Sequence, residues 1–173
     1  MSKRIFNAAL ALDLDVKNLT ENVDSISSCL SKGLSCPVGS IICGRSEFIS
    51  KARHIRKGLG GGMRQAGVFA AAGILALDEM IIRLKEDHLN AKYFSKGLSK
   101  INGIEINPED IESNILIFSL TKISSHEFTE RLSEMGIYML PWDDTSIRAV
   151  TNLMVDKQQI QEVLKKIGEV LSK

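Results

Sequence analysis

The chain has 173 residues, 22 basic against 21 acidic for a formal charge of +1, and is 44% apolar and 25% charged. That balance belongs to a folded globular chain with a sizeable core. It is too apolar for disorder. No apolar run reaches the roughly 18 residues of a membrane span, and no basic excess invites nucleic acid.

The first apolar run, 6–12, reads as a short helix. It passes straight into Asp13 and does not read as a secretory leader. A second short helix follows at 16–22. Residues 25–30 and 40–43 read as strands, with Cys36, Pro37 and Gly39 punctuating the turn between them. A helix spans 46–57, with Ser46 as N-cap and Glu47 in its first turn. Gly58 and the run 60–62 break it. The segment 65–84 is then a long, very apolar helix, expected to be buried on most sides. Residues 87–98 continue helically, and Lys100, Asn102 and Gly103 end the run.

Beyond Gly103 the texture changes. Strands are expected at 104–107 and 114–120. Ser124 or Ser125 caps a helix to Met135, and Gly136 ends it. Residues 137–140 form a strand, 141–144 a turn and 146–151 a further strand. Asp156 caps a last helix whose apolar stripe is Val163, Leu164, Ile167, Val170 and Leu171. This order predicts a small α+β unit with helices on one face of a mostly antiparallel sheet. The boundary falls near 85–103, giving domains at 1–90 and 91–173. Two strands are a poor sheet for so apolar a helix, so the first part reads as the later portion of a larger domain.

Four features could carry chemistry. Lys32 is the only charged side chain between Ser25 and Gly44. Surroundings of Ser, Cys, Gly and Leu disfavour an ammonium, and a neutral amine attacks carbonyls. The alternative is a lysine tip reaching water from a loop. The run 60–62 lies in a basic segment, with six basic residues against one acid over 45–64. Glycines admit a close anion, the start of the helix that follows offers free N–H groups, and Lys57 and Arg64 flank the run, so phosphate is the natural guest. A flexible helix-to-helix turn is the alternative. Arg148 lies in an apolar strand, where an inward guanidinium needs an anion and an outward one does not. Arg4, ahead of Ile5, is equally open. Cys29, Cys36 and Cys43 are seven residues apart with no CxxC pair, so they read as three small buried thiols in a reducing cytoplasm, without metal or disulfide. His54 and His88 fall on exposed-looking helix positions and His126 near a helix start, and the three give no triad.

Together these residues resemble one family. Arg4-Ile5-Phe6-Asn7-Ala8, the stretch 29–34 with 37–40, Arg56-Lys57, the stretch 60–67 and the strand 147–151 are similar to the L-threonine aldolases. Those are pyridoxal phosphate (PLP) enzymes of the aspartate-aminotransferase-like fold type I, grouped with the β-eliminating lyases. The resemblance implies an α/β fold: the later part of a fold type I large domain and a small C-terminal α+β domain. It implies that Lys32 bonds covalently to PLP, that Lys57 and Arg64 reach the cofactor phosphate of a neighbouring subunit, and that Arg4 and Arg148 hold the substrate carboxylate. The implied reaction is cleavage of threonine or allo-threonine to glycine and acetaldehyde, in a cytoplasmic homo-oligomer, a dimer or tetramer. The family motif also has Asp-Gly-Ala-Arg before the helix, where this chain has Met1-Ser2-Lys3-Arg4. The aspartate that pairs with the pyridine nitrogen is thus replaced by Met1. The chain reads as the C-terminal half of the family's usual length. It is either an aldolase that needs a companion N-terminal half or an inactive, oligomerising remnant. In both cases the apolar faces of 6–12 and 66–84 are expected to be left open.

Overall fold

The computed structural model describes residues 4–172. Met1, expected in place of the aspartate, lies outside the described residues. The chain divides into two compact units, Met1–Leu84 and Lys85–Lys173. The boundary read from sequence, at 90/91, falls further along the same helix.

The first unit opens with α1 (Ile5–Leu12) and α2 (Val16–Thr20). The Asp15 carboxylate caps α2 by accepting from the Lys17 N–H at 2.8 Å. Strands β1 (Ser25–Cys29) and β2 (Ser40–Gly44) pair antiparallel, with Ser25 opposite Gly44 and Cys29 opposite Ser40. Helix α3 spans Ser46–Gly58 and α4 spans Gly67–Leu75. A π-helical turn at Ala76–Met80 leads into α5 (Ile81–Leu98). The N-cap of α3 is Arg45 rather than Ser46, and its side chain makes no capping bond.

The unit's core is small: Leu30, Leu34, Cys36, Ala76 and Leu84, with Phe6, Leu10, Ile41 and Leu77 packed against it. The burial expected for 65–84 is therefore corrected. Val68 is 74% exposed, Ile74 62% and Ile82 78%. A two-stranded sheet presents too little surface to cover an apolar helix, so only the Gly73, Ala76 and Leu84 side is enclosed. The open apolar face anticipated for 66–84 is present.

The second unit is a four-stranded antiparallel sheet in the order β3-β4-β6-β5. Here β3 is Ile104–Glu105, β4 Ile115–Leu120, β5 Leu140–Pro141 and β6 Ser146–Val150. The edge strands are shorter than the 104–107 and 137–140 expected from sequence, and Pro141 belongs to β5 rather than to the turn. Proline offers no N–H to a ladder and is confined to such edges.

Helix α6 (Ser125–Glu134) starts where Ser124 Oγ accepts from the Glu127 N–H at 3.2 Å. Helix α7 (Lys157–Leu171) starts with a reciprocal box: Asp156 accepts from the Gln159 N–H at 2.8 Å, and the Gln159 side chain accepts from the Asp156 N–H at 2.9 Å. Alternation along β4 turns Leu116, Phe118 and Leu120 to one face. Phe94 and Leu98 of α5, Phe128 and Leu132 of α6, and Ile160 and Ile167 of α7 cluster with them. Phe118 and Phe128 meet edge to face at 6.1 Å. Full burial of each such side chain stabilises the unit by about 1.5–3 kcal/mol.

Candidate active site

In the first unit, Lys32 sits on the loop between β1 and β2. The loop closes on itself: Leu30 N–H donates to Gly39 C=O at 2.9 Å, Cys36 N–H to Leu30 C=O at 3.2 Å, and Ser35 N–H to Lys32 C=O at 3.0 Å. Leu30, Gly33, Leu34 and Cys36 turn inward and bury themselves, which leaves the Lys32 side chain exposed. The dry surroundings expected around this amine are thus not made by its sequence neighbours.

Gly33 fits against α1 because it has no side chain. A Cβ there would lie 2.9 Å from Asn7 Oδ1 and 2.9 Å from a Leu84 methyl. Asn7 is buried one turn after Arg4, which is half-buried at the head of α1. The fold thereby seats the lysine loop on the helix that begins at Arg4.

The glycine run ends α3 and does not open α4. Leu59 N–H donates to Ile55 C=O at 2.9 Å, Gly60 N–H to Lys57 C=O at 3.1 Å and Gly61 N–H to Arg56 C=O at 2.8 Å. Gly60 takes φ +79°, which glycine adopts at least cost. The anion-binding helix start expected from sequence is corrected accordingly: α4 begins later, at Gly67, behind an Ala66 cap without a side-chain bond. Lys57 and Arg64 flank this turn and are exposed. Neither they nor Lys32 form an ion pair with any described carboxylate.

The cysteines also depart from expectation. Cys36 is buried, Cys29 half-buried and Cys43 exposed, and all three are free. The ladder register puts Cys29 and Cys43 on opposite faces of the sheet, so they cannot pair. A hydrogen bond with the Ser31 hydroxyl at 3.3 Å holds the Cys29 thiol below its usual range against the opposing effect of burial, and Ser40 and Lys32 assist. Burial raises that of Cys36. His54 is exposed as expected and His126 is exposed too, whereas His88, expected to be exposed, is half-buried and its imidazole is held below the ordinary value by burial first and by Lys92 second. Among the described residues no group of three His, Cys, Asp or Glu could hold a metal ion, and no helix is long and apolar enough to cross a membrane.

In the second unit, Arg148 lies in the middle of β6, directly opposite Ile117 of β4 and Leu140 of β5. Phe118 and Ile147 are opposite one another on the core face, so Arg148 is on the face away from the helices. It is half-buried, and no described carboxylate pairs with it. Its one close partner among the described residues is Trp142, whose ring centre lies 5.8 Å from the guanidinium carbon. Trp142 was legible in the sequence only as part of a turn. Its place two residues after Leu140, on the same side of a hairpin, is the signal that links it to Arg148.

The fold of these elements, α/β in the first unit and an antiparallel sheet with helices in the second, is that of the fold type I enzymes. The chain belongs to the beta-eliminating lyase family, whose model matches residues 2–121. It is 40% identical over 164 residues to "Probable low-specificity L-threonine aldolase 2" of Arabidopsis thaliana, covering 93% of this chain and 46% of that protein. It is 38% identical over 160 residues to the low specificity L-threonine aldolase of Escherichia coli K12, covering 92% and 46%. Among solved structures it is similar to a Listeria monocytogenes protein assigned to the L-allo-threonine aldolases, with a TM-score of 0.81 at 15% identity, over 98% of this chain and 50% of that one. The chain therefore spans about half the length of the relatives it matches.

Proposed function

We propose that this chain supplies the lysine-bearing half of a low-specificity L-threonine aldolase, a PLP-dependent lyase that cleaves threonine or allo-threonine to glycine and acetaldehyde. The observation that carries the reading is the seating of the Lys32 loop on the Arg4 helix within a chain of this family. The donor set fits the cofactor. A primary amine that no described carboxylate pairs with suits an aldehyde. Two exposed cations beside a helix-ending turn suit a phosphate dianion. A guanidinium on an open sheet face suits a carboxylate.

In the reaction the bond between Cα and Cβ breaks, the β-hydroxyl gives up its proton, and Cβ leaves as the aldehyde carbonyl carbon. The electron pair stays on Cα until that carbon takes a proton to become glycine. PLP, when bound, supplies the electron sink for this pair. Lys32 would hold the cofactor, Lys57 and Arg64 its phosphate, and Arg4 and Arg148 would fix the substrate carboxylate. Orientation is where such residues lower the barrier. The exposure of Lys57 and Arg64 agrees with reaching the phosphate of a second subunit.

The test is covalent trapping: PLP, then borohydride, then peptide mapping of the purified chain. A single pyridoxyl tag on Lys32, lost in Lys32→Ala, is the expected result. Uniform tagging of surface lysines overturns the assignment of Lys32.

A second reading has a specific observation behind it. Val68, Ile74, Leu75 and Ile82 remain in solvent, and an apolar face of this kind calls for a cover. The chain would then act only with a companion N-terminal half or as an oligomer. Acetaldehyde release from threonine by the isolated chain, abolished in Lys32→Ala, argues against that requirement.

A further inference from the structure

The hairpin that carries Arg148 is built to present a tryptophan to it. Trp142 N–H donates to Ser146 C=O at 2.8 Å. The Asp143 carboxylate is engaged by its own turn, accepting from the Ser146 N–H at 2.8 Å, the Thr145 N–H at 2.9 Å and the Thr145 hydroxyl at 3.2 Å. The Ser125 hydroxyl donates to the Asp143 carbonyl, tying the turn to the start of α6.

This arrangement has two consequences. The Asp143 carboxylate, five residues before Arg148, is taken up by backbone and hydroxyl donors, so it does not neutralise the guanidinium. And the indole, although 60% exposed, stands over the guanidinium where it removes some of that side chain's rotational freedom. A guanidinium whose carbon lies 5.8 Å from a ring centre makes a cation–π contact and keeps its N–H donors available to a planar anion. Nothing else among the described residues satisfies that edge by an ion pair.

We propose that Trp142 is a positioning residue: its ring holds the Arg148 guanidinium in the orientation that receives the α-carboxylate of a free amino acid. This rests on the reading above that Arg148 binds the substrate carboxylate. Trp142 itself acts through Arg148 and leaves the bond-breaking chemistry to other groups.

The experiment uses the full chain, nitrogen-15-labelled arginine, and L-threonine as the probe. The Nε–H resonance of Arg148 is expected to be displaced by the ring current of Trp142. In Trp142→Ala it moves to the position of an unstacked arginine, and the dissociation constant for threonine rises about 2- to 5-fold, the size of an exposed cation–π contact. Trp142→Phe keeps an aromatic face and falls between the two. Because the site is exposed, neither substitution disturbs the core. An unchanged resonance and an unchanged threonine affinity in Trp142→Ala overturn the positioning role, and leave the carboxylate role of Arg148 standing. Wild-type threonine affinity in Arg148→Gln removes the underlying reading itself, and the proposal with it.

Discussion

Thr151 is the point at which buried polar groups of the second unit converge, three residues beyond Arg148. It is 3% exposed. Its hydroxyl donates to the Asp87 carbonyl at 2.6 Å, its N–H donates to the Asn114 carbonyl at 3.0 Å, and its own carbonyl accepts from the Asn114 amide at 2.6 Å. These bonds pin the end of β6 to the end of the loop before β4 and to α5. Thr151→Val preserves the shape and deletes one donor. Deleting one partner of a buried hydrogen bond costs about 1–3 kcal/mol, so the loss is about 2 kcal/mol. Thr151→Ser keeps the donor and loses a methyl group, about 1 kcal/mol. With a urea slope of about 1 kcal/mol/M for so small a unit, the midpoint falls by about 2 M in the first variant and about 1 M in the second. Equilibrium unfolding of the full chain, followed by fluorescence, measures this cleanly, because Trp142 is the only tryptophan and reports on residues 85–173. A Val variant as stable as the Ser variant, or within about 0.3 M of wild type, refutes the reasoning.

Ser35 occupies a left-handed backbone conformation, φ +57°, on the Lys32 loop. That conformation costs a non-glycine residue about 1–2 kcal/mol, and glycine gives back about 0.5–1 kcal/mol in unfolded-chain entropy. Ser35→Gly should therefore stabilise the first unit slightly, by up to about 1 kcal/mol, in melting followed by far-ultraviolet circular dichroism; a clear destabilisation counts against the strain. The Asp143 carboxyl is held below its usual range, first by the Thr145 N–H and then by the Ser146 and Thr145 donors, against opposing desolvation. A depressed carboxyl stabilises fully above the unfolded value of about 3.9 and loses that contribution as pH falls through the lower folded value. Trp142 fluorescence should change over that acid window in wild type and be flat there in Asp143→Ala; identical profiles would show that the turn does not depend on the carboxylate.

The elements that local chemistry controls were readable from the residues. Ser124 and Asp156 cap their helices because a short oxygen-bearing side chain reaches the N–H three residues on, whatever lies elsewhere. The stripe of α7 follows from spacing, with Ile160 added at its head. The resemblance carried by Lys32, Lys57, Arg64 and Arg148 is a matter of residue order, and the family model matches residues 2–121. What a side chain meets in space is another matter. Apolar character made 65–84 look enclosed, yet covering a helix takes a sheet of sufficient width, and only two strands stand beside it. Small neighbours made Lys32 look dry, yet they bury themselves and turn the amine outward.

Edge strands β3 and β5 shrink to two residues each because pairing, not propensity, sets their length. The glycine run ends one helix instead of starting the next, because its N–H groups find the carbonyls of α3. Sequence alone thus settled the starts of α6 and α7, which depend on contacts within a few residues, and the family, which depends on residue order. Burial, the stacking of Trp142 on Arg148 and the Asp87–Asn114–Thr151 knot required the fold. They join groups tens of residues apart or across a hairpin, where ladder register decides which side chains share a face.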